Sequence, residues 1–410
     1  MEIRPIISTL SRHKTAALLI VLEISLTCAI VCNALFLIGN RVEEMNHPSG
    51  VALDEIVRVQ LTPIGRDDDA DAQTRTDLAA LRAIPGVKAA TVLNEVPFVS
   101  SSWNTSVNLV AKQERPTMNA TIYMAEEQFM DTLGVHLQAG RNFEPGEYQQ
   151  FTEMQRAAQN ASIPALIITR AMADRLFPGG NALGKSIYVW DDKPSQIVGI
   201  VDHLVRPSTF EGPETREYSM IFPMRVPFNL GGNYVLRTDP ARRAEVLKAA
   251  ETALRAAAPG RIIVEKQTRT LEELRIEYFK QQRSMAWLLG GVIVALLIVT
   301  ALGIVGLASF WVQQRTRQIG VRRALGATRG QILRYFQAEN FLLATAGIVL
   351  GMLLAFGINQ LLMKKYELPR LPWFYLPVGA LALWILGQLS VLWPARRAAA
   401  VPPAVATRSA

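Results

Sequence analysis

Four apolar stretches decide what this chain can become. Residues 16–38, 286–312, 338–362 and 374–393 contain Glu23 and Glu339 as their only acidic or basic side chains. Each approaches the ~20 residues that a helix needs to cross a bilayer core. Inside hydrocarbon only a helix or a closed barrel satisfies its own backbone groups. Mean hydropathy is +0.17 and 19% of the residues are charged, unusual values for a soluble chain. The sequence therefore predicts an α-helical membrane protein with four transmembrane helices. A large α/β extracytoplasmic domain is expected between the first and second.

Charge sets the expected topology. Between Arg41 and Arg283 there are 28 Lys/Arg against 31 Asp/Glu, whereas the rest of the chain has 15 against 4. The net charge of +8 is thus gathered around the spans, and a nucleic-acid role is set aside. Arg4, Arg12 and Lys14 precede the first span, and Arg396, Arg397 and Arg408 follow the last. Arg315, Arg317, Arg322, Arg323, Arg329 and Arg334 lie between the second and third. Cytoplasmic loops carry such an excess. The expected order is a cytoplasmic N-terminus (1–15), first span (16–38), outer domain (39–285), second span (286–312) and cytoplasmic coupling segment (313–337). A third span (338–362), short outer link (363–373), fourth span (374–393) and cytoplasmic tail (394–410) complete it, the tail from 398 expected to be disordered. Lys364, Lys365 and Arg370 in the link oppose this orientation and are outnumbered.

The first apolar core, at about 23 residues, exceeds the ~7–15 of a cleaved signal, so an uncleaved anchor is expected. Cys28 and Cys32 sit four apart on one face of that helix, where thiols pack as small hydrophobes.

The outer segment alternates strand and helix patterns. Strands are expected at 55–62, 87–96, 103–112, 119–125, 163–169, 186–190, 195–201, 218–224, 233–238 and 261–268. Helices are expected at 71–84, 126–133, 148–160, 170–177 and 240–257. Residues 50–96 and 218–270 read as a β-α-β frame around an inserted subdomain at 97–217. Thr270 and Glu273 have capping-box spacing. They open a helix expected to run as one rod from 271 to 312, its 271–285 part a stalk.

Three apparent motifs lead nowhere. Gly179 to Ser186 fits the P-loop expression, but the helix-like run precedes it and the strand-like run follows, the reverse of a working phosphate cradle. Asp67, Asp69 and Asp71 imitate a calcium loop, yet Ala72 and Leu78 occupy the positions that need Gly and Glu. His13, His47, His136 and His203 show no ligand spacing. No enzymatic centre, metal or cofactor is expected.

The stretch 313–341 carries six arginines and no acid before Glu339, interleaved with Ile319, Val321, Ala324, Leu325, Ile332 and Leu333. Basic loops beside membranes meet anionic lipid without further design. Here Gly320, Gly326 and Gly330 punctuate the segment, and Thr328 with Gln331 forms a second capping-box pattern. A short amphipathic helix followed by a tight turn suits docking into a partner's groove.

The run IGVRRALGATRGQILRYFQAENFLL (319–343) resembles the hallmark of FtsX-like/MacB-like ABC transporter permeases. TLGVHLQAGRNF (132–143), ITRAMADRLFPGGNALGKSI (168–187) and IVGIVDH (197–203) resemble the MacB-type periplasmic core, with a porter-like frame. The end of the chain, PARRAAAVPPAVATR, departs from the family's closing motif in lacking its acidic residue and leucine. The resemblance implies a permease of the inner membrane working as a homodimer or heterodimer with a separate cytoplasmic ABC ATPase. It implies that Arg315, Arg317, Ile319, Gly320, Arg322, Arg323, Leu325, Gly326, Ala327, Arg329 and Glu339 couple to that ATPase. ATP-driven closure would then move the outer domains (mechanotransmission) and export a drug, peptide or other amphiphile from the periplasm, with an adaptor and an outer-membrane channel. Lipoprotein extraction, peptide sensing or control of a cell-wall hydrolase are alternatives that the same architecture serves.

Two intramembrane features stand apart. Glu23 is an ionisable group inside the first span, which is costly unless it is used or reaches a polar partner. Gly347, Gly351 and Ala355 form a small-residue stripe that permits close helix packing. Packing within the subunit is favoured over a dimer seam.

Overall fold

The computed structural model describes residues 14–64, 69–157, 162–190, 193–208, 212–257, 260–366 and 370–400. Asp67, residues 1–13 and 401–410 of the predicted termini, and 367–369 of the predicted link lie outside the described residues. The chain divides into two compact units, Met1–Met45 with Gln281–Ala410, and Asn46–Lys280.

Among its described residues the first unit holds four helices long and apolar enough to span a membrane: Lys14–Asn46, Lys280–Gln314, Arg329–Tyr366 and Tyr375–Ala400. Each of the other three meets the first, and the third and fourth also pack on each other, Phe341 stacking on Trp384. Buried Ile20, Ile24, Cys28 and Cys32 of the first recur every four residues along one face. A side chain added at Gly347 or Gly351 of the third helix would meet Ile24 Cβ at 2.9 Å or Cys28 Cβ at 2.5 Å. At Gly379 of the fourth it would meet Cys32 Sγ at 2.5 Å. Asn33 Nδ2 donates to Ala355 O at 3.2 Å, closing the line of contact along the small-residue stripe. The second helix joins through Thr27 Oγ1 and Thr300 Oγ1, 2.8 Å apart. With lipid outside and no hydrophobic gain between helices, close packing and such hydrogen bonds hold the bundle. Gly351→Val is expected to wedge the first and third helices apart and destabilise the bundle by about 1–3 kcal/mol, read as a lower unfolding temperature in detergent. Gly357→Val, with nothing within 4 Å of its added carbon, is the matched control.

The fourth helix continues to Ala400, past the predicted span end and into the predicted disordered tail. Val391, Ala395, Ala398 and Ala399 are buried, so packing carries the helix onward through Pro394.

The second unit is α/β with thirteen strands among the described residues. In chain order they are β1 (Ile56–Thr62), β2 (Val87–Leu93), β3 (Asn104–Val107), β4 (Met118–Ala125), β5 (Leu137–Gly140), β6 (Gln149–Gln150) and β7 (Ala165–Thr169). There follow β8 (Ser186–Ile187), β9 (Ser195–Val201), β10 (Ser219–Arg225), β11 (Asn233–Thr238), β12 (Ile262–Ile263) and β13 (Arg269–Thr270). The smaller sheet has order β12-β1-β11-β2, with β13 also on β1. Helix Ala70–Arg82 links β1 to β2, and Arg243–Ala257 follows β11, giving two interlocked β-α-β turns. Each helix buries one stripe, Thr74, Asp77, Leu78 and Leu81 in one and Val246, Ala250 and Leu254 in the other. Asp77 is fully buried and accepts Arg261 Nη1 at 2.5 Å, Arg261 Nη2 at 2.8 Å and the Tyr234 hydroxyl, tying helix, strand and following loop together.

The larger sheet has order β3-β4-β10-β7-β9-β5, with β6 on β10 and β8 on β9. Its parallel pairs β4–β10 and β7–β9 are buried on both faces, as parallel strands are. Here the sequence reading needs correcting. The strand at 218–224, given to the β-α-β frame, is β10 and runs in the middle of the larger sheet. The frame resumes only at β11. The expected strand 261–268 is two short strands around a single 3-10 turn at Glu265–Gln267.

The expected rod from 271 to 312 is also interrupted. Helix Leu271–Tyr278 opens on the Thr270–Glu273 capping box, Glu273 N donating to Thr270 Oγ1 at 3.2 Å and Thr270 N to Glu273 Oε2 at 3.0 Å. It ends at Phe279, after which Lys280–Gln314 begins. Phe279 is buried against Phe98, ring centroids 6.0 Å apart. Phe98 itself holds a left-handed φ of 67°. Burying that aromatic pair outweighs one helical residue.

Candidate partner-docking site

The second spanning helix stops at Gln314 and Arg315 leaves helical geometry, φ −103° and ψ 8°. A nine-residue connecting helix, Thr316–Ala324, follows. Gly326 then takes φ +100°, a conformation glycine adopts at little cost, and the chain reverses. The second capping box forms as its spacing predicts: Gln331 N donates to Thr328 Oγ1 at 3.3 Å, and Thr328 N to Gln331 Oε1 at 2.9 Å. The third spanning helix starts there.

The structure separates the predicted coupling residues into two groups. One group holds the segment in place. Arg315 Nη1 donates to both carboxylate oxygens of Glu339, at 3.0 and 2.9 Å, and both side chains are buried. Glu339 lies ten residues into its helix, beyond the reach of the helix-end dipole, so Arg315 is its charge partner. Ile319 and Gly320 are buried, and Arg323 Nη1 donates to Ala399 O of the fourth helix at 3.1 Å. The other group faces away. Leu325 is 83% exposed and Val321 45%, one helical turn apart. Arg317, Arg322, Gly326 and Arg329 are exposed beside them, and Ala327 is half-buried. An exposed apolar pair on a braced helix, ringed by cations, is what a binding surface offers and what an isolated loop avoids.

Glu23 lies against the second helix. A side chain at Gly303 would come within 2.5 Å of both its carboxylate oxygens, so the glycine makes room for the carboxylate.

In the α/β unit the P-loop-like stretch has the order that the sequence implied, helix Arg170–Leu176 before and β8 after. Its amides are spent locally: Gly180 N on Phe177 O at 3.0 Å, Gly184 N on Ile197 O at 2.8 Å and Lys185 N on Ala182 O at 3.2 Å. Lys185 Nζ sits over the Phe177 ring, 4.3 Å from its centroid. Asp69 is the N-cap residue of helix Ala70–Arg82 and Asp71 lies in its first turn, where acidic residues suit the dipole.

Sequence spacing missed one cluster. Glu217 Oε1 lies 2.8 Å from His47 Nε2 and 2.7 Å from His203 Nδ1, so one carboxylate joins two histidines far apart in the chain. Among the described residues no group of three or more His, Cys, Asp or Glu is arranged to hold a metal.

One buried carboxyl carries a testable pH signature. Glu95 is 2% exposed, and its Oε2 accepts the Trp103 amide at 2.7 Å. Burial pushes its carboxyl up to about 7, against the lowering effect of that amide, the Ser101 hydroxyl and the Arg206 charge. A folded-state value above the unfolded one favours folding fully below the unfolded value of 4.5, and the gain is lost as pH rises through about 7. Wild type is expected to lose about 3 kcal/mol of stability between pH ~5 and ~8 relative to Glu95→Gln in paired thermal unfolding. Parallel pH profiles would remove Glu95 as the cause.

Comparison with known proteins agrees with this architecture. The MacB-like periplasmic core domain family matches residues 19–256, and the FtsX-like permease C-terminal family matches 290–403. The chain belongs to the family of MacB-like, FtsX-like ABC transporter permeases. The uncharacterized ABC transporter permease YknZ of Bacillus subtilis is 24% identical over 99% of this chain and 98% of its own. The macrolide export ATP-binding/permease protein MacB of Acinetobacter baylyi is 25% identical over 97% of this chain, which spans 58% of that protein. The solved extracellular domain of YknZ covers 50% of this chain at 17% identity with a TM-score of 0.31, a likeness too weak to carry an argument.

Proposed function

We propose that this permease is the membrane subunit of an ATP-driven exporter whose ATPase is a separate cytoplasmic protein. The observation that carries the reading is the exposed Val321–Leu325 pair on a helix braced from within by Arg315–Glu339. A docked ATPase would cover the pair, and Arg317, Arg322 and Arg329 would meet acidic groups around its groove. Force applied to the connecting helix reaches the second spanning helix on one side and the third on the other, because both are continuous with it through short links. The second spanning helix leads back to the α/β domain through Phe279.

The arginine-rich segment and both termini lie in the cytoplasm on this reading, with the α/β domain on the other face of the inner membrane. Two permeases work together, as a homodimer or a heterodimer. An adaptor and an outer-membrane channel complete the route. The cargo is an amphiphile, drug or peptide taken up outside the bilayer, since charged residues within the spans are limited to Glu23 and Glu339. A strain lacking the chain is expected to become susceptible to such compounds and to recover with wild type but not with Leu325→Asp. Division or chain-separation defects with unchanged susceptibility would instead assign it to control of a cell-wall hydrolase.

A further inference from the structure

Behind the connecting helix is a cavity of about 490 Å³ lined by the connecting helix and the start of the third spanning helix. Val321 and Leu325 take no part in it. Arg315, Arg322 and Arg334 contribute three positive charges, and Gln318 and Gln331 further polar groups. Ile319, Ile332, Tyr335 and Phe336 supply apolar wall. Arg315 is buried, and its Nη2 has no hydrogen-bond partner although Nη1 is held by Glu339. The Arg322 guanidinium lies 5.2 Å from the Tyr335 ring centroid. Among the described residues Arg315–Glu339 is the ion pair in this segment, leaving Arg322 and Arg334 without a carboxylate.

An unpartnered buried guanidinium nitrogen is costly, and three arginines around one space favour an anion that accepts several hydrogen bonds, as a phosphate does. The apolar walls add a second requirement, a hydrocarbon part attached to that anion. The place adds a third. The cavity lies beside the end of one apolar helix at Gln314 and the start of the next at Arg329, and basic segments flanking such helices attract anionic head groups.

We propose that this cavity is a binding site for one anionic phospholipid. The phosphate faces Arg315, Arg322 and Arg334, and the first part of an acyl chain lies along Ile319, Ile332 and Phe336. A bound lipid then stiffens the connecting helix from behind while its exposed face stays open to the ATPase. The inference goes beyond the docking reading and shares Arg322 and the bracing Arg315 with it.

The test uses the full chain in detergent, stripped of lipid and titrated with dioleoylphosphatidylglycerol, with retained lipid counted by native mass spectrometry. One tightly held molecule per chain is expected, with dioleoylphosphatidylcholine and inorganic phosphate each bound at least about tenfold more weakly. Arg334→Gln is expected to weaken phosphatidylglycerol binding about tenfold while the ATPase still co-purifies, and Arg334→Lys to recover most of the loss. Leu325→Asp is expected to do the reverse, losing the ATPase and keeping the lipid. Equal binding of phosphatidylcholine, or of inorganic phosphate, would overturn the proposal, as would an Arg334→Gln variant that binds like wild type. Loss of the ATPase with Arg334→Gln would assign the cavity to an acidic group of that partner instead.

Discussion

Leu325→Asp is expected to strip the ATPase from the purified permease. The side chain is 83% exposed, so the substitution removes no folding contact. Burial of a leucine at an interface and desolvation of the new carboxylate together give about 2–4 kcal/mol, or about 30- to 1,000-fold in affinity. The unfolding temperature of the permease alone should not change. Charge reversal at Arg322 and Arg329 adds an ionic-strength signature: reduced association at low salt, the difference narrowing as salt rises. Arg323 is a poorer choice for this purpose, because its hydrogen bond to Ala399 O mixes a folding effect with a docking effect. Full co-purification of the ATPase with Leu325→Asp would remove the docking surface from this account.

Glu339→Ala is expected to produce the largest loss of stability of any single substitution considered for the spanning helices. It leaves the Arg315 guanidinium buried without its carboxylate, and breaking a buried pair on one side costs about 3–5 kcal/mol. Replacing both residues together with leucine removes the uncompensated charge and should recover most of that loss. The comparison separates two roles. If the double variant is stable yet turns over no cargo, the pair serves to hold the connecting helix at a fixed angle. If Glu339→Ala unfolds at the wild-type temperature, the pair is not a brace.

The sequence made some of this legible and hid the rest for physical reasons. Hydropathy finds the four spans because the bilayer demands uninterrupted apolar length. Both capping boxes are readable because Thr270 with Glu273, and Thr328 with Gln331, act on the backbone three residues away. The Arg315–Glu339 pair was not readable as a pair, since its geometry depends on two helices separated by a turn. The Thr328–Gln331 box marks where the third helix opens, but hydropathy does not show which side chain will face Glu339 ten residues further on. The placement of β10 failed similarly: alternation identifies a strand but not which neighbour it pairs with, and here the partners are β4 and β7. Phe279 gave no break signal because phenylalanine is acceptable in a helix; its burial against Phe98 is a tertiary effect. Glu217 with His47 and His203 shows the same limit, three residues joined only by the fold.

The central claim is that the arginine-rich connecting helix and the α/β domain work on opposite faces of one membrane. With Cys28 and Cys32 changed to Ala, single cysteines can be introduced as Arg115→Cys in the α/β domain and Gln314→Cys before the connecting helix, both at exposed positions. A maleimide that enters the periplasm but does not cross the inner membrane should label Arg115→Cys in intact cells. It should label Gln314→Cys only after the inner membrane is broken. Labelling of both cysteines in intact cells, or of Gln314→Cys alone, would contradict the account.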